Sequence, residues 1–357
     1  MAATCMLVAL APAMAVNAAG SIYRLDAVMA LKGARPSWDY LTFDASRSYL
    51  FLGRRAAGVT VYDVAAHKVV GQVEHSEGAN AATLAPEFGR GYTANGDGTS
   101  TVFDLATFKA IDRIKLGGTA DAAFYDPATK QMAFTRGDEH ELTFVDAKMG
   151  TVTGRLHMEA EELEGVAPDG RGGLYVIERD LAKIAKVDAA AHKVVAEWPI
   201  AKCELPTGLA MDRAANRLFI GCKGEHPVLT VMDAADGAVK AQMEIGRGND
   251  GVVYDPDARR VFTSNGVDGN IVIFDQTGPD TYRLAQAVTT RPIARTLAID
   301  PKTKKIYTMT AEGMVDPAKP VNRRAGAFYP NTFFDDTFTL LEFGPHSPGP
   351  AAPADID

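Results

Sequence analysis

From Trp38 onward, apolar runs of four to six residues alternate with short polar links, and the apolar positions never fall at helical spacing. The runs are rich in Val, Ile, Phe, Tyr and Thr, and the links in Gly, Asp, Asn and Pro. This is the pattern of short antiparallel strands joined by tight turns. The runs also recur. One series closes on an acid: VTVYD63, STVFD104, LTFVD146, KIAKVD188, LTVMD233 and IVIFD275, at intervals of 41, 42, 42, 45 and 42 residues. A seventh copy, FTLLE342, follows 67 residues later. A second series precedes each member of the first: YLTFD44, ATLAPE87, AAFYD126, GVAPD169, GLAMD212, GVVYD255 and TLAID300. Between the two lies a third run, such as SYLFLG53, RLFIGC222 or RVFTSNG266.

Each unit predicts three antiparallel strands and a fourth leading onward, for example HKVVGQV73 and GTVTGRL156. A four-stranded sheet of about 42 residues has two apolar faces and cannot bury both alone; stacking such sheets around an axis does so and leaves only short edges. The fold class predicted is therefore all-β, a seven-bladed β-propeller of four-stranded antiparallel blades forming one domain over residues 21–343. The seventh unit supplies only three strands. The missing one is expected at the other end of the chain, in IYRLDAVMALKG33, so that the N-terminal strand completes the last blade. The Pro- and Ala-rich residues 344–357 read as a disordered tail.

Units such as VVYDPDARRVFTSNGVDGNIVIFD carry an Asp-Pro turn, a strand, and a second strand ending in Asp. In this the chain resembles the YVTN-repeat, YncE-like family of exported seven-bladed propellers over roughly residues 38–343, although GLAMDRAANRLFIGC has Asp212-Arg213 where the pattern has Asp-Pro. The resemblance implies the architecture. Its implications for activity are broad, since similar repeats occur in periplasmic and surface binding proteins, in propeller domains of redox enzymes and in a protein associated with single-stranded DNA.

The first 20 residues contain no charge, run apolar from Cys5 to about Ala11, and offer small-x-small sites at Ala13-Met14-Ala15 and Val16-Asn17-Ala18. They read as a signal peptide lacking its basic start, which places the mature protein in the periplasm or outside the cell. No transmembrane segment is expected in the mature chain. Removing that segment leaves two cysteines, Cys203 and Cys222. An exported protein favours pairing them. Placing Cys222 opposite Thr207 leaves Cys203 about 13 Å away along an extended strand, beyond bridging range, unless the Leu205-Pro206 bend folds it back. A net charge of −8 argues against duplex nucleic acid as the main partner.

Propeller topology brings the start of every innermost strand to one end of the central channel. Five residues before each acid of the second series stand Asp39, Ala82, Asp121, Glu164, Thr207, Asp250 and Arg295. A ring of four acids and one arginine is expected there. Carboxylates converging on an axis suit a divalent cation, Ca or Mg, with Asp39, Glu164 and Asp250 as candidate ligands. They would equally serve as hydrogen-bond acceptors for neighbouring strands, or face channel water. Gluconolactonase-type propellers hold a divalent ion in their channel, but none of their ligand motifs is present here.

The same face carries an insert in blade seven, residues 311–336, where Arg323 and Arg324 stand near Phe328 and Tyr329. Arginines beside aromatics suit an interface, a stack of single-stranded bases, or a cap packed back on the blade. The histidines show no metal-binding spacing, and nucleophile-elbow and phosphate-loop motifs are absent. The reading is a monomeric, noncatalytic binding or interaction module that takes a small molecule or a periplasmic protein at its channel mouth. The competing readings are a metal-dependent lactonase-type hydrolase using the acidic ring, and single-stranded nucleic-acid binding.

Overall fold

The computed structural model describes residues 22–34, 36–136, 139–322, 325–326 and 329–348. Residues 1–20, expected to be a signal peptide, and most of the expected tail lie outside them. Seven sheets of four antiparallel strands succeed one another along the chain. Blade one is typical: Leu41–Asp44 is innermost, then Tyr49–Gly53 and Val59–Asp63, with Lys68–Gln72 outermost. Blade seven comprises Leu297–Ile299, Ile306–Thr310 and Thr339–His346, and Ile22–Ala30 pairs with the last of these from Ile22 opposite His346 to Ala30 opposite Thr339. The predicted closure by the N-terminal strand is thus the observed one. The closing pair extends to His346, so Gly344, Pro345 and His346 belong to the sheet and not to the tail.

The acid at the end of each run has a local job. Asp63 Oδ1 accepts from the amides of Ala65 and Ala66, Asp104 from Ala106 and Thr107, Asp146 from Lys148 and Met149, and Asp212 from Ala214 and Ala215. A short carboxylate capping its own turn starts the reversal. Four residues after the acid, the chain passes through the left-handed region: Ser48, His67, Phe108, Lys130, His192, Asn216, Arg259 and Lys304 all have φ between 48° and 62°. His67 and His192 are therefore turn residues, as their matched sequence positions suggest. In blades six and seven the closing acids do other work: Asp275 pairs with Arg260 and Arg283, and Glu342 with Lys305.

The core is divided as the architecture requires. Seven apolar clusters fill the seven junctions between blades, for instance Leu50, Tyr62, Tyr307 and Leu340 between blades one and seven, and Leu142, Phe144, Leu174 and Val176 between three and four. Glycines permit the closest approaches. A Cβ on Gly53 would strike the Asn80 carbonyl of the next blade.

Candidate functional site: the channel mouth

A β-bulge opens the innermost strand in four blades. Pairing skips Asn80 between Ala79 and Ala81, Glu164 and Gly165 between Leu163 and Val166, Thr207 between Pro206 and Gly208, and Asp250 between Asn249 and Gly251. An extra residue in one strand turns its side chain out of the regular alternation. The skipped positions are the ring positions. In blade two the ring residue is Asn80 and not Ala82, because a 3-10 turn, Pro86–Phe88, replaces the acid-capped turn and shifts the count by two. Asn249, beside Asp250, is fully buried; its amide donates to the carbonyls of Gly251 and Ser264 and to Asn265 Oδ1, against Gly221 of the neighbouring blade. It holds the bulge in place.

The structure brings Asp39, Asp250 and Arg295 together and adds cations that the ring count missed. Arg295 Nη2 lies 3.2 Å from Asp39 Oδ1, and its Nε lies 2.8 Å from Asp250 Oδ2. Arg55 pairs with the other Asp39 oxygen and Lys223 with the other Asp250 oxygen. Arg179 Nη1 is 2.9 Å from Glu164 Oε1 and 3.2 Å from Glu162 Oε2. Among the described residues, the Asp121 carboxylate receives only the side-chain amide of Asn80, at 3.4 Å. Arg179 and Lys223 each follow directly on the end of a second strand, after Glu178 and Cys222. A basic residue at that repeated position was the available signal.

Charge and burial set the protonation of the ring. Burial, then Asp250 and Asp121, push the Glu164 carboxyl up to about 8 against the pull of Lys223 and Arg179. Burial, then Asp39 and Asp250, push Asp121 up to about 6. For Asp250 burial acts upward too, but Lys223, Arg295 and Arg179 outweigh it and hold the carboxyl below its usual range. Burial and the four ring acids drive the Tyr40 phenol well above its usual range.

The candidate metal ligands stand in ion pairs. Asp39, Glu164 and Asp250 already face guanidinium or ammonium groups, and among the described residues no three His, Cys, Asp or Glu side chains are placed to hold a metal ion. His140 and His157 stack with ring centroids 6.0 Å apart but gain no third ligand among those residues.

The mouth opens into a cavity of about 650 Å³ lined by Arg179, Lys223, Arg247, Asp250, Arg295 and Glu225. The insert roofs it through Asn322, Ala325 and Tyr329. Within the insert, Gly313–Met314 pairs with Thr332–Phe333, and Phe333 meets the Trp38 ring edge-on at 5.2 Å. Tyr329 also packs against the apolar cluster under the cap. Arg323, Arg324 and Phe328 lie outside the described residues.

The cavity wall is fixed by a disulfide. Cys203 and Cys222 are bonded, with Cα atoms 5.3 Å apart. The bend supplies what an extended strand could not: Lys202 and Leu205 both take positive φ, 54° and 49°, and Pro206 rather than Thr207 stands opposite Cys222. Leu205 and Lys223, each next to the bridged segment, line the cavity. Arg55 and Ile293, at the same mouth, also have positive φ, 45° and 68°. Such strain in a β-branched residue is rare and gathers at functional sites.

No family model matches the chain, and no curated protein matches it. Among the solved structures that share the fold are the following two. A chain of Kuenenia stuttgartiensis hydrazine synthase is 17% identical with a TM-score of 0.68, covering 78% of this chain and 94% of that one. A chain of a mitotic checkpoint complex is 12% identical with a TM-score of 0.70, covering 86% of this chain and 95% of that one. Likeness at this identity defines the class, a seven-bladed β-propeller, and nothing narrower. No helix among the described residues is long and apolar enough to cross a membrane.

Proposed function

We propose that the protein is an exported, noncatalytic binding module of the YncE-like kind, which takes its ligand in the channel-mouth cavity beneath the blade-seven insert. The observation that carries this reading is the cavity of about 650 Å³, within the usual range for small-molecule sites, walled by bulge-aimed and ion-paired side chains. The Cys203–Cys222 bridge beside it supports an oxidising compartment. Every ring carboxylate but Asp121 is bound to a cation, which supports recognition over hydrolysis through a metal-activated water.

Thermal unfolding in the presence of a broad panel of periplasmic metabolites tests this. Ligands should raise the melting temperature of the wild type by several degrees at saturating concentration, but not that of a Tyr329→Ala, Asn322→Ala variant. A panel that stabilises both proteins equally, or turnover of a lactone by metal-loaded protein, would overturn the reading.

A further inference from the structure

The ligand class can be read from what the cavity wall presents, on the reading that this cavity is the binding site. Among the described residues, four cations line it, Arg179, Lys223, Arg247 and Arg295, against two carboxylates, Asp250 and Glu225. Each cation is held by an acid: Arg179 by Glu162 and Glu164, Lys223 by Asp250, and Arg295 by Asp39 and Asp250. Asp268 holds Arg247 through Nε and Nη2, 2.8 and 2.7 Å away, and through its backbone amide. Holding a guanidinium by one edge fixes the direction of its remaining donors. Among the described residues, Nη2 of Arg179 and Nη1 of Arg247 and Arg295 make no hydrogen bond. Oriented donors without acceptors, in a concave wall, are what an anionic oxygen cluster needs. Leu205, Val267, Ala325 and Tyr329 form the apolar part of the remaining wall, with Asn322 a further polar side chain.

We infer that the channel mouth binds a small organic anion, its carboxylate or phosphoryl oxygens received by Arg179, Arg247 and Arg295 and its body by the apolar wall under the insert. Within the deeper ring, Glu164 adds no negative charge at neutral pH. Glu164 faces Arg179 from its own blade, Lys223 from blade five, Asp250 from blade six and Asp121 from blade three, and below about 8 it carries its proton. An anion bound beside it favours that proton further. Affinity should therefore hold through neutral pH and fall as the pH passes about 8. An amine would behave oppositely, binding more tightly as Glu164 ionises.

Calorimetric titration tests this with succinate, citrate, gluconate, inorganic phosphate and glucose 6-phosphate, with putrescine and glucose as the cationic and neutral controls. At least one anion should bind the wild type. Arg247→Gln, at the exposed rim, should weaken it by about tenfold or more, as loss of one charge-assisted contact implies. Arg247→Lys should weaken it less, and the affinity should drop above pH 8 in the wild type but not in Glu164→Gln. Should putrescine or glucose bind in a Tyr329-dependent manner while no anion does, the anion assignment falls and the cavity stands as a binding site. Should no probe respond to Arg247, Glu164 or Tyr329, both fall.

Discussion

At the scale of single residues, the repeated aspartates do two different jobs that look alike in the sequence. Those ending strands, such as Asp63 and Asp146, cap turns; those starting innermost strands, such as Asp39 and Asp250, build the ring. The turn job leads to a stability test. Lys130 and Gly150 occupy equivalent left-handed positions, φ 59° and 73°, four residues after Asp126 and Asp146. A Cβ at Gly150 would meet only an ordinary contact, Val102 Cγ2 at 3.6 Å, so Gly150→Ala carries mainly the backbone penalty, about 1 kcal/mol. Exposed Lys130→Gly relieves the same penalty and loses entropy, leaving a change within about 0.5 kcal/mol of zero. Urea unfolding of the two variants checks the pair. The ring leads to a pH test. Glu164 has its folded pKa raised, from 4.5 to about 8, so across that range the folded state holds a proton that the unfolded state has lost. Stability must then fall as pH rises from about 4.5 to about 8, since its slope follows the protons bound when unfolded minus those bound when folded. Asp121 adds a like decline between 3.8 and about 6. Glu164→Gln should remove the upper decline, so the difference in urea midpoint between variant and wild type should grow in the variant's favour towards pH 8. A constant difference would contradict the assignment.

At the scale of elements, the strands were legible because alternation, turn residues and period all agree. The bulges were not. A bulge depends on the register between two strands, and composition leaves no mark of it at Asn80, Glu164, Thr207 or Asp250. Counting back from the acid still found the ring position in every blade but the second, because the start of the innermost strand and its turn keep a constant separation there. It failed in blade two, where Ala85 stands in the place of the capping acid and the turn Pro86–Phe88 follows. The partners Arg55, Arg179 and Lys223 lie just past the ends of second strands, where a recurring basic residue was the one mark the sequence offered. The disulfide was open on sequence for a similar reason: two consecutive-turn positions with positive φ, Lys202 and Leu205, shorten a path that an extended chain makes too long. That bridge closes a loop with a sequence separation of 19, for which loop-closure entropy gives about 3 kcal/mol. Cys203→Ser, Cys222→Ser should lower the unfolding free energy by about that amount. Because Leu205 and Lys223 flank the bridge, it should also weaken binding at the mouth, and titration of any bound ligand before and after reduction reads this out.

At the scale of the whole molecule, seven blades give seven junctions only if the ring closes, and closure depends on a strand at the far end of the sequence. Ile22–Ala30 covers the edge of Thr339–His346 along its whole length. It also reaches blade six: the Tyr23 ring meets Phe262 at 5.3 Å and its amide donates to Gln286 Oε1, while its hydroxyl donates to the Lys304 carbonyl of blade seven. The strand is therefore held from two blades, although its own outer face is exposed, with Leu25 and Val28 about half accessible. A chain begun at residue 32 loses the strand and leaves the Thr339–His346 edge unpaired beside an opened cluster containing Phe262, Leu341 and Phe343. An uncovered edge of that kind recruits other strands. Such a protein should elute as dimers or larger species and unfold at lower urea, and a synthetic peptide of residues 21–32 added in trans should return it to a monomer. Tyr23→Ala in the peptide should cut its potency by at least about tenfold, because the buried ring and two hydrogen bonds go with it. A truncated chain that remains monomeric and as stable as the full one would mean that the blades close without their clasp, and the two-ended construction of blade seven would then carry no share of the molecule's stability.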